Sequence, residues 1–268
     1  MLVVAPIVAC SRDDRSIVVG DGDADAATDA ANDGSSSLGC PASGPNPDIA
    51  EIAGPRGPMR VTRTEITRCQ YAAFVSEIGE RGGGPGYLCA WNDAYEPDLA
   101  CMAAPNVYHG DGAVRHPQPC VDWCDAQAYC TWIGMHLCRG FDPGYGFLDF
   151  ADATRSEWMS ACSSAGAHPF PYGEAYDPER CNGACAGKAC ATREVGALAG
   201  CEAPGHVLDL SGNVAEWEDV CDGATDAHDA CRLRGGSFTS EEPGLRCDAR
   251  AVAPRTTQSP GIGLRCCD

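Results

Sequence analysis

Lysine is almost missing from this sequence. The 268 residues include one lysine, Lys188. Lysine and arginine together number 19, whereas aspartate and glutamate number 38. The net charge of −19 argues against a nucleic-acid partner, because phosphate backbones are held by basic patches. Long apolar runs are missing as well, since no stretch approaches the ~18 residues that a bilayer-spanning helix needs. The composition therefore predicts no nucleic-acid partner, and contact with a membrane only through an attached lipid.

Cysteine, glycine and proline are abundant instead. The 32 glycines and 19 prolines predict much turn and loop, while 44% apolar residues are enough for a packed core. Nineteen cysteines would be a liability in a reducing cytosol but suit an oxidising compartment, where they pair as disulfides. We therefore expect an exported, disulfide-stapled protein.

The N-terminal segment agrees with export. A short apolar run ends at Cys10, and the sequence IVAC is typical of a bacterial lipobox. We predict that residues 1–10 are a signal segment, that Cys10 is lipidated, and that the protein is held at the bacterial cell envelope or secreted. The run is short and lacks a basic start, which favours a longer native N-terminus. The alternative to a signal segment is an ordinary buried strand in which Cys10 occurs by chance. Residues 11–39, rich in Asp, Ala, Gly and Ser, are predicted to be an acidic flexible tether.

Residues 40–268 have the character of a globular domain. Capping residues followed by apolar positions at helical spacing predict three short helices, which begin at Thr67, Asp122 and Thr154. The few alternating runs predict short strands, at residues 59–61, 206–210 and 232–234. This pattern indicates an irregular α+β domain.

Several segments, in one order along the chain, then become recognisable. The most diagnostic is LDLSGNVAEW at residues 208–217; the others include VTRTEIT at 61–67, PCVDWCDAQAYCTW at 119–132, RLRGGSF at 232–238 and GIGLRC at 261–266. Together they resemble the formylglycine-generating enzyme family, also called the sulfatase-modifying factor family, over roughly residues 58–268. The resemblance implies the irregular C-type-lectin-like fold of that family, low in regular secondary structure.

The resemblance also implies two disulfides. In relatives, the cysteine of the second helix pairs with the one that ends the C-terminal motif; the corresponding residues here are Cys130 and Cys266. The cysteine of the third helix pairs with the one in the RCxxR segment, and the corresponding residues here are Cys162 and Cys247. Separately from the family, Cys221 and Cys231 bracket an Asp-rich loop, and a local bridge is the simplest interpretation. The other pairings stay open.

Active members of the family oxidise a cysteine of an exported sulfatase to formylglycine with copper(I) and oxygen. Their two copper-binding cysteines lie between the RGGS strand and the following RCxxR cysteine. In this sequence the interval, residues 235–246, contains no cysteine, and the oxygens of Ser and Glu are poor ligands for copper(I). The resemblance therefore argues against copper and against formylglycine formation by the known mechanism.

A structural calcium site is predicted instead in the most diagnostic segment. The resemblance places side-chain ligands at Asp209 and Glu216 and main-chain ligands at Gly212 and Val214. Two carboxylates separated by a Gly-Asn turn also supply the hard oxygens that calcium prefers. The alternative is a tight turn with two solvated acids.

By comparison with the substrate groove of relatives, five further residues could border a ligand: Trp123, Trp217, Arg234, Arg246 and Arg250. Their alternative roles are packing and ion pairing. We predict a non-catalytic binding or scaffolding module that recognises an exported peptide, protein or glycan, a step that rests on fold analogy. Two alternatives remain open: an active oxidase with a rearranged thiol pair, and a purely structural envelope protein.

Overall fold

The protein is described by a computed structural model over residues 46–78, 89–185, 190–224 and 227–268. The predicted lipidation site Cys10 and the predicted tether at 11–39 lie outside the described residues. The strands are β1 (Ile49–Gly54), β2 (Gly57–Thr62), β3 (His136–Leu137), β4 (Glu202–Ala203), β5 (Val207–Leu208), β6 (Ala215–Cys221), β7 (Ala230–Arg234), β8 (Ala251–Pro254), β9 (Ile262–Gly263) and β10 (Cys266–Cys267). The helices are α1 (Arg68–Ile78), α2 (Leu99–Met102), α3 (Trp123–Trp132) and α4 (Glu157–Ser163).

Local capping sets the start of each of the three predicted helices. Thr67 and Gln70 form a reciprocal capping box before α1, and Asp122 with Asp125 does the same before α3. Helix α4 begins later than predicted, because Ser156 accepts a hydrogen bond from the Met159 amide and is the N-cap. Thr154 is instead held in the preceding turn, where its hydroxyl donates to Asp152.

Two four-stranded sheets and a β4–β5 pair make up the regular β structure of the described residues. The first sheet has the order β1-β2-β10-β3, so the late strand β10 lies between two early ones. The second sheet has the order β8-β7-β6-β9, in which β6 pairs antiparallel with β7 and parallel with β9. Strands β6 and β7 carry the segments that most resemble the family, so this sheet is the scaffold of the candidate site.

The core consists of two apolar clusters. One joins α1 and α3 to the second sheet, with Tyr71, Phe74 and Tyr129 in ring contact and Trp217 fully buried. The other packs α4, through Trp158, against the first sheet. No described helix is both long and apolar enough to cross a membrane.

Disulfides connect these layers. The structure contains the pairs Cys130–Cys266 and Cys162–Cys247 that the resemblance implied, and the local pair Cys221–Cys231. It adds five more, which are Cys89–Cys124, Cys101–Cys120, Cys138–Cys267, Cys181–Cys201 and Cys185–Cys190. The bridges at Cys130 and Cys138 fasten β10 to α3 and to the end of β3, which explains how a two-residue strand is held between two others.

Candidate functional site

A cleft of about 480 Å³ opens where β6, β7, β8 and β9 meet the loop after β7. Its floor is glycine-rich, with Gly235, Gly236, Gly244 and Gly261 among the lining residues. At Gly236 the backbone has φ +67°, and a Cβ atom would lie 2.5 Å from the Gly244 carbonyl oxygen. The two backbone segments approach so closely that position 236 requires glycine, and no side chain projects from it into the cleft.

Hydroxyl groups and one guanidinium supply most of the polar lining. The lining residues include Asn106, Ser237, Thr239, Ser240, Arg250 and Ser259, and among the described residues neither a cysteine nor an acid contributes. Ser240 accepts a hydrogen bond from the Ser237 amide, and the Ser237 and Thr239 hydroxyls lie 2.9 Å apart. These contacts shape the loop that forms one wall of the cleft, which we call the hydroxyl loop (residues 237–240).

The turn that was predicted to bind calcium lies directly behind this wall. The Gly212 amide donates to the Gly235 carbonyl at 2.8 Å, and the Asn213 carbonyl accepts from the Phe238 amide at 3.0 Å. Asp209, Gly212 and Asn213 all have positive φ, and a Cβ atom at Gly212 would meet the Asn182 carbonyl oxygen at 2.3 Å. The turn is thus tight and positions the cleft through backbone hydrogen bonds.

Three buried carboxylates surround this turn, and Glu65 is the one that the sequence reasoning missed. The two carboxylate oxygens of Glu65 accept hydrogen bonds from the Val214 amide at 3.1 Å and the Asn213 side chain at 2.9 Å. Asp209 accepts from the Gly196 amide at 2.5 Å. Glu65 is 148 residues from Asn213, so only its place in the VTRTEIT segment could have marked it.

One guanidinium is paired with this carboxylate cluster. Glu216 is bound by Arg265, with Nε at 2.9 and 3.0 Å from its two oxygens, and by the indole N–H of Trp158 at 2.5 Å. If Glu65, Asp209 and Glu216 were all ionised, the cluster with Arg265 would carry two excess negative charges. Burial, together with the charges of Asp209 and Glu216, raises the pKa of Glu65 well above its usual range, and burial raises the pKa of Asp209 to about 6.

No group of three or more His, Cys, Asp or Glu side chains within the described ranges is close enough to hold a metal by itself. The predicted set needs only two such side chains, Asp209 and Glu216, plus the main-chain oxygens of Gly212 and Val214. Carboxylate and carbonyl oxygens are the ligands that calcium takes. A divalent cation would also offset the negative charge that the buried cluster carries when these carboxyls are ionised.

The structure places one of the five predicted groove residues, Arg250, at the cleft. Arg234 is instead buried against Glu218, with its Nε 2.9 Å from Oε2. The buried indoles donate inward as well, Trp217 to the Val121 carbonyl at 3.1 Å and Trp123 to the Glu218 carbonyl at 3.3 Å. These side chains lie in the interior because each buried N–H has an acceptor there. Arg246 pairs with Asp248 outside the cleft.

Each cysteine in the described parts of the chain is disulfide-bonded. The two closely spaced pairs that could have supplied a relocated dithiol are included: Cys185 is bridged to Cys190, while Cys266 and Cys267 are bridged to Cys130 and Cys138. The Cys185–Cys190 bridge is nevertheless adjacent to the cleft. The Cys185 amide donates to the Phe238 carbonyl at 3.0 Å, and the Ala184 amide donates to the Ser240 carbonyl at 2.7 Å.

Comparisons with known proteins identify the family and the fold. Residues 16–268 match the family described as "Sulfatase-modifying factor enzyme 1-like domain". The fold is similar to the structure of PvdO from Pseudomonas aeruginosa, with 21% identity, a TM-score of 0.53, and coverage of 79% of this chain and 80% of that one. It is also similar to the crystal structure of CarF, with 18% identity, a TM-score of 0.56, and coverage of 83% and 98%.

No curated protein matches the sequence. The two structures, at these identities, establish the fold alone, which is the irregular, disulfide-rich α+β fold expected from the sequence. Because the family match extends over nearly the whole chain, the protein belongs to the formylglycine-generating enzyme (sulfatase-modifying factor) family.

Proposed function

We propose that this protein is an exported binding module of its family, in which the cleft beside the hydroxyl loop receives an extended peptide, a protein segment or a glycan. The observation that carries the proposal is the chemistry of the cleft. The interval in which active relatives hold copper offers hydroxyls and glycine backbone, and Arg250, which follows that interval, adds a guanidinium to the cleft. Such groups bind by hydrogen bonding and charge, and they are poor ligands for copper(I).

Export and attachment to a bacterial envelope through lipidated Cys10 are part of the same proposal. The eight described bridges support an oxidising compartment, because disulfides of this number do not persist in a reducing cytosol. Lipidation is testable by mass spectrometry of the N-terminal peptide after expression in a bacterium with a lipoprotein pathway. A peptide that carries unmodified Cys10 would overturn it.

We also propose that the turn behind the cleft holds a structural calcium ion. Asp209 and Glu216 would supply side-chain oxygens, and Gly212 and Val214 would supply main-chain oxygens. Calcium would neutralise buried carboxylate charge and stiffen the turn that bonds to Gly235 and Phe238. Its role in this proposal is to keep the cleft wall in place, with no part in covalent chemistry.

The binding proposal is tested by filling the cleft. Thr239 is exposed and lines the cleft, so Thr239→Trp should occlude it without disturbing the core. The matched control is Thr131→Trp, because Thr131 is exposed on α3, outside the cleft lining. Both variants and the parent chain are passed over immobilised panels of peptides and oligosaccharides. We expect ligands that bind the parent and the control but lose at least tenfold in affinity for Thr239→Trp.

The main alternative is an oxidase that uses a rearranged thiol pair. It would need at least one described bridge to be open in the mature protein, and copper bound to the freed thiols. Alkylation and peptide mapping of the unreduced protein separate the two proposals. No alkylated cysteine supports the binding module, whereas two alkylated cysteines that copper(I) protects would establish the oxidase alternative. Equal binding of all ligands by Thr239→Trp and the parent would refute the cleft as the binding site.

A further inference from the structure

The Cys185–Cys190 disulfide differs from the other described bridges in its exposure. Cys190 is exposed and Cys185 is half-buried, whereas every other bridge between described cysteines includes at least one buried cysteine. Thiol–disulfide exchange requires a thiolate to approach a sulfur atom in line, so access governs which bridge reacts first. Among the described bridges, a soluble thiol therefore reaches this one most easily.

A disulfide stabilises a fold by restricting the unfolded chain, and among the described bridges this one contributes the least in that way. Its cysteines are 5 residues apart, while the bridges between layers join residues 85 to 136 apart. The loop-closure entropy removed by a disulfide grows with loop length, so opening the shortest loop costs the least. Reduction of Cys185–Cys190 should therefore leave the folded domain intact.

The backbone at this bridge is held in an unfavourable conformation. Ala184 has φ +54° and Cys185 has φ +46°, two consecutive non-glycine residues in the left-handed region. Such residues carry a conformational cost and persist when surrounding contacts hold them. The contacts here are the disulfide and the two amide hydrogen bonds to the hydroxyl loop, from Ala184 to the Ser240 carbonyl and from Cys185 to the Phe238 carbonyl.

These observations lead to one conclusion. We infer that Cys185–Cys190 is a thiol-exchangeable redox site, and that its oxidation state controls how firmly the hydroxyl loop is held at the cleft wall. The oxidised form keeps both hydrogen bonds to that loop. In the reduced form the left-handed backbone relaxes and the hydrogen bonds are lost, so the cleft wall loosens. The redox partner is a low-molecular-weight thiol or a dithiol protein.

The exchange is balanced without any other reactant. A thiolate attacks Sγ of Cys190, the Cys190–Cys185 bond breaks, and Sγ of Cys185 leaves as a thiolate and takes up a proton. A second thiol then displaces the mixed disulfide. Two electrons pass from the two external thiols to the bridge, which yields one external disulfide and two protein thiols.

The test uses the full oxidised chain and dithiothreitol as the probe, at native pH and without denaturant. After each step of the titration, free thiols are alkylated and mapped, and amide hydrogen exchange is measured. The matched control bridge is Cys221–Cys231, which also closes a short loop, of 10 residues, but has Cys231 buried. We expect Cys185 and Cys190 to be alkylated at a reductant concentration at least tenfold lower than Cys221 and Cys231.

At that concentration we expect the exchange of the Ala184 and Cys185 amides to accelerate at least tenfold, with the amides of β6 unchanged. A Cys185→Ser/Cys190→Ser variant should show the fast exchange permanently, and Cys221→Ser/Cys231→Ser should not. Simultaneous reduction of both bridges, or slow exchange of these amides in Cys185→Ser/Cys190→Ser, would overturn the inference. None of these measurements involves copper or a cleft ligand, so the result is independent of the proposed function.

Discussion

Arg265 holds Glu216 in a fully buried ion pair, with Nη2 of the arginine 2.9 Å from Oε1 of the glutamate. The same guanidinium donates to the carbonyls of Thr62 and Leu208, at 2.6 and 2.7 Å. One side chain thus joins β2, β5 and β6, and it fixes the orientation of a carboxylate that the calcium proposal requires. The pair couples the stability of the domain to the geometry of the candidate site.

Loss of this arginine should be costly. Arg265→Met leaves the Glu216 carboxylate buried without its cation, and breaking one partner of a buried pair typically costs about 3–5 kcal/mol. The control is Arg60→Met, because Arg60 and Asp268 form a pair with both side chains substantially exposed, which is expected to contribute about 1 kcal/mol or less. Urea denaturation of both variants gives the comparison. Equal losses of stability would show that burial of the Arg265 pair does not matter.

Calcium should stabilise the domain through the Asp209 turn. At a free concentration a hundredfold above its Kd, a ligand that binds only the folded state adds about 2.7 kcal/mol, or about 5–10 °C in Tm for a domain of this size. We expect chelation to lower Tm by that order in the parent and in the control Glu51→Gln, an exposed acid on β1. Asp209→Asn should abolish the response to calcium. A full response in Asp209→Asn would place the ion elsewhere.

Acid should destabilise the protein through His116. This histidine stacks on Tyr108 with ring centroids 4.2 Å apart, and burial, helped by Arg68, lowers its pKa to about 4. Because the unfolded chain binds this proton with a pKa near 6.5, stability is lost as the pH falls from about 6.5 towards 4. The expected contribution between pH 7.5 and pH 5 is about 2 kcal/mol.

The measurement is the free energy of unfolding at both pH values for the parent and for His116→Gln. Several buried carboxyls with raised pKa values, such as Asp122 at about 6, change stability in the opposite direction, so the difference between the two proteins is what isolates the histidine. The parent should lose more stability than His116→Gln on acidification. Identical pH dependence in both would contradict the lowered pKa of His116, because it would show that the histidine binds its proton equally well in the folded and unfolded states.

Arg250 should give the cleft a preference for anionic ligands. Its guanidinium lies over the Phe150 ring at 5.6 Å and lines the cleft of a protein whose net charge is −19. Arg250→Ala should lower the affinity for anionic members of the ligand panels about 3–10-fold and leave the affinity for neutral members unchanged. Arg139→Ala, at an exposed arginine outside the cleft lining, is the control. Equal weakening of neutral and anionic ligands would contradict the charge preference.

Local signals in the sequence predicted the helices and the general character of the fold well. The capping residues Thr67 and Asp122 act within one turn, so the sequence contains all that is needed to place α1 and α3. The start of α4 was misplaced because Thr154 and Ser156 are both good caps, and tertiary contacts select Ser156, whose hydroxyl also donates to the buried Glu218. The family resemblance supplied the two long-range bridges, which no local pattern contains.

The site was harder to predict, because it depends on which side chains face inward. The substrate groove of relatives suggested Arg234 as a groove residue, with packing or ion pairing as the alternative role, and a surface arginine and a buried one look alike in sequence. Only the fold shows that Glu218, 16 residues away, lies on the neighbouring strand to receive it. Glu65 and the Cys185–Cys190 bridge were missed as parts of the site for a similar reason, since both reach it through hydrogen bonds between distant segments.

The fastening of β10 also constrains the order in which the chain can fold. Cys130 and Cys138 find their partners 136 and 129 residues later, at Cys266 and Cys267. Until those two cysteines have been synthesised, the earlier pair remains reduced or is oxidised with a wrong partner among the many nearby thiols. The first sheet therefore closes only after almost the whole domain has emerged, and any premature pairing must first be undone by thiol–disulfide exchange.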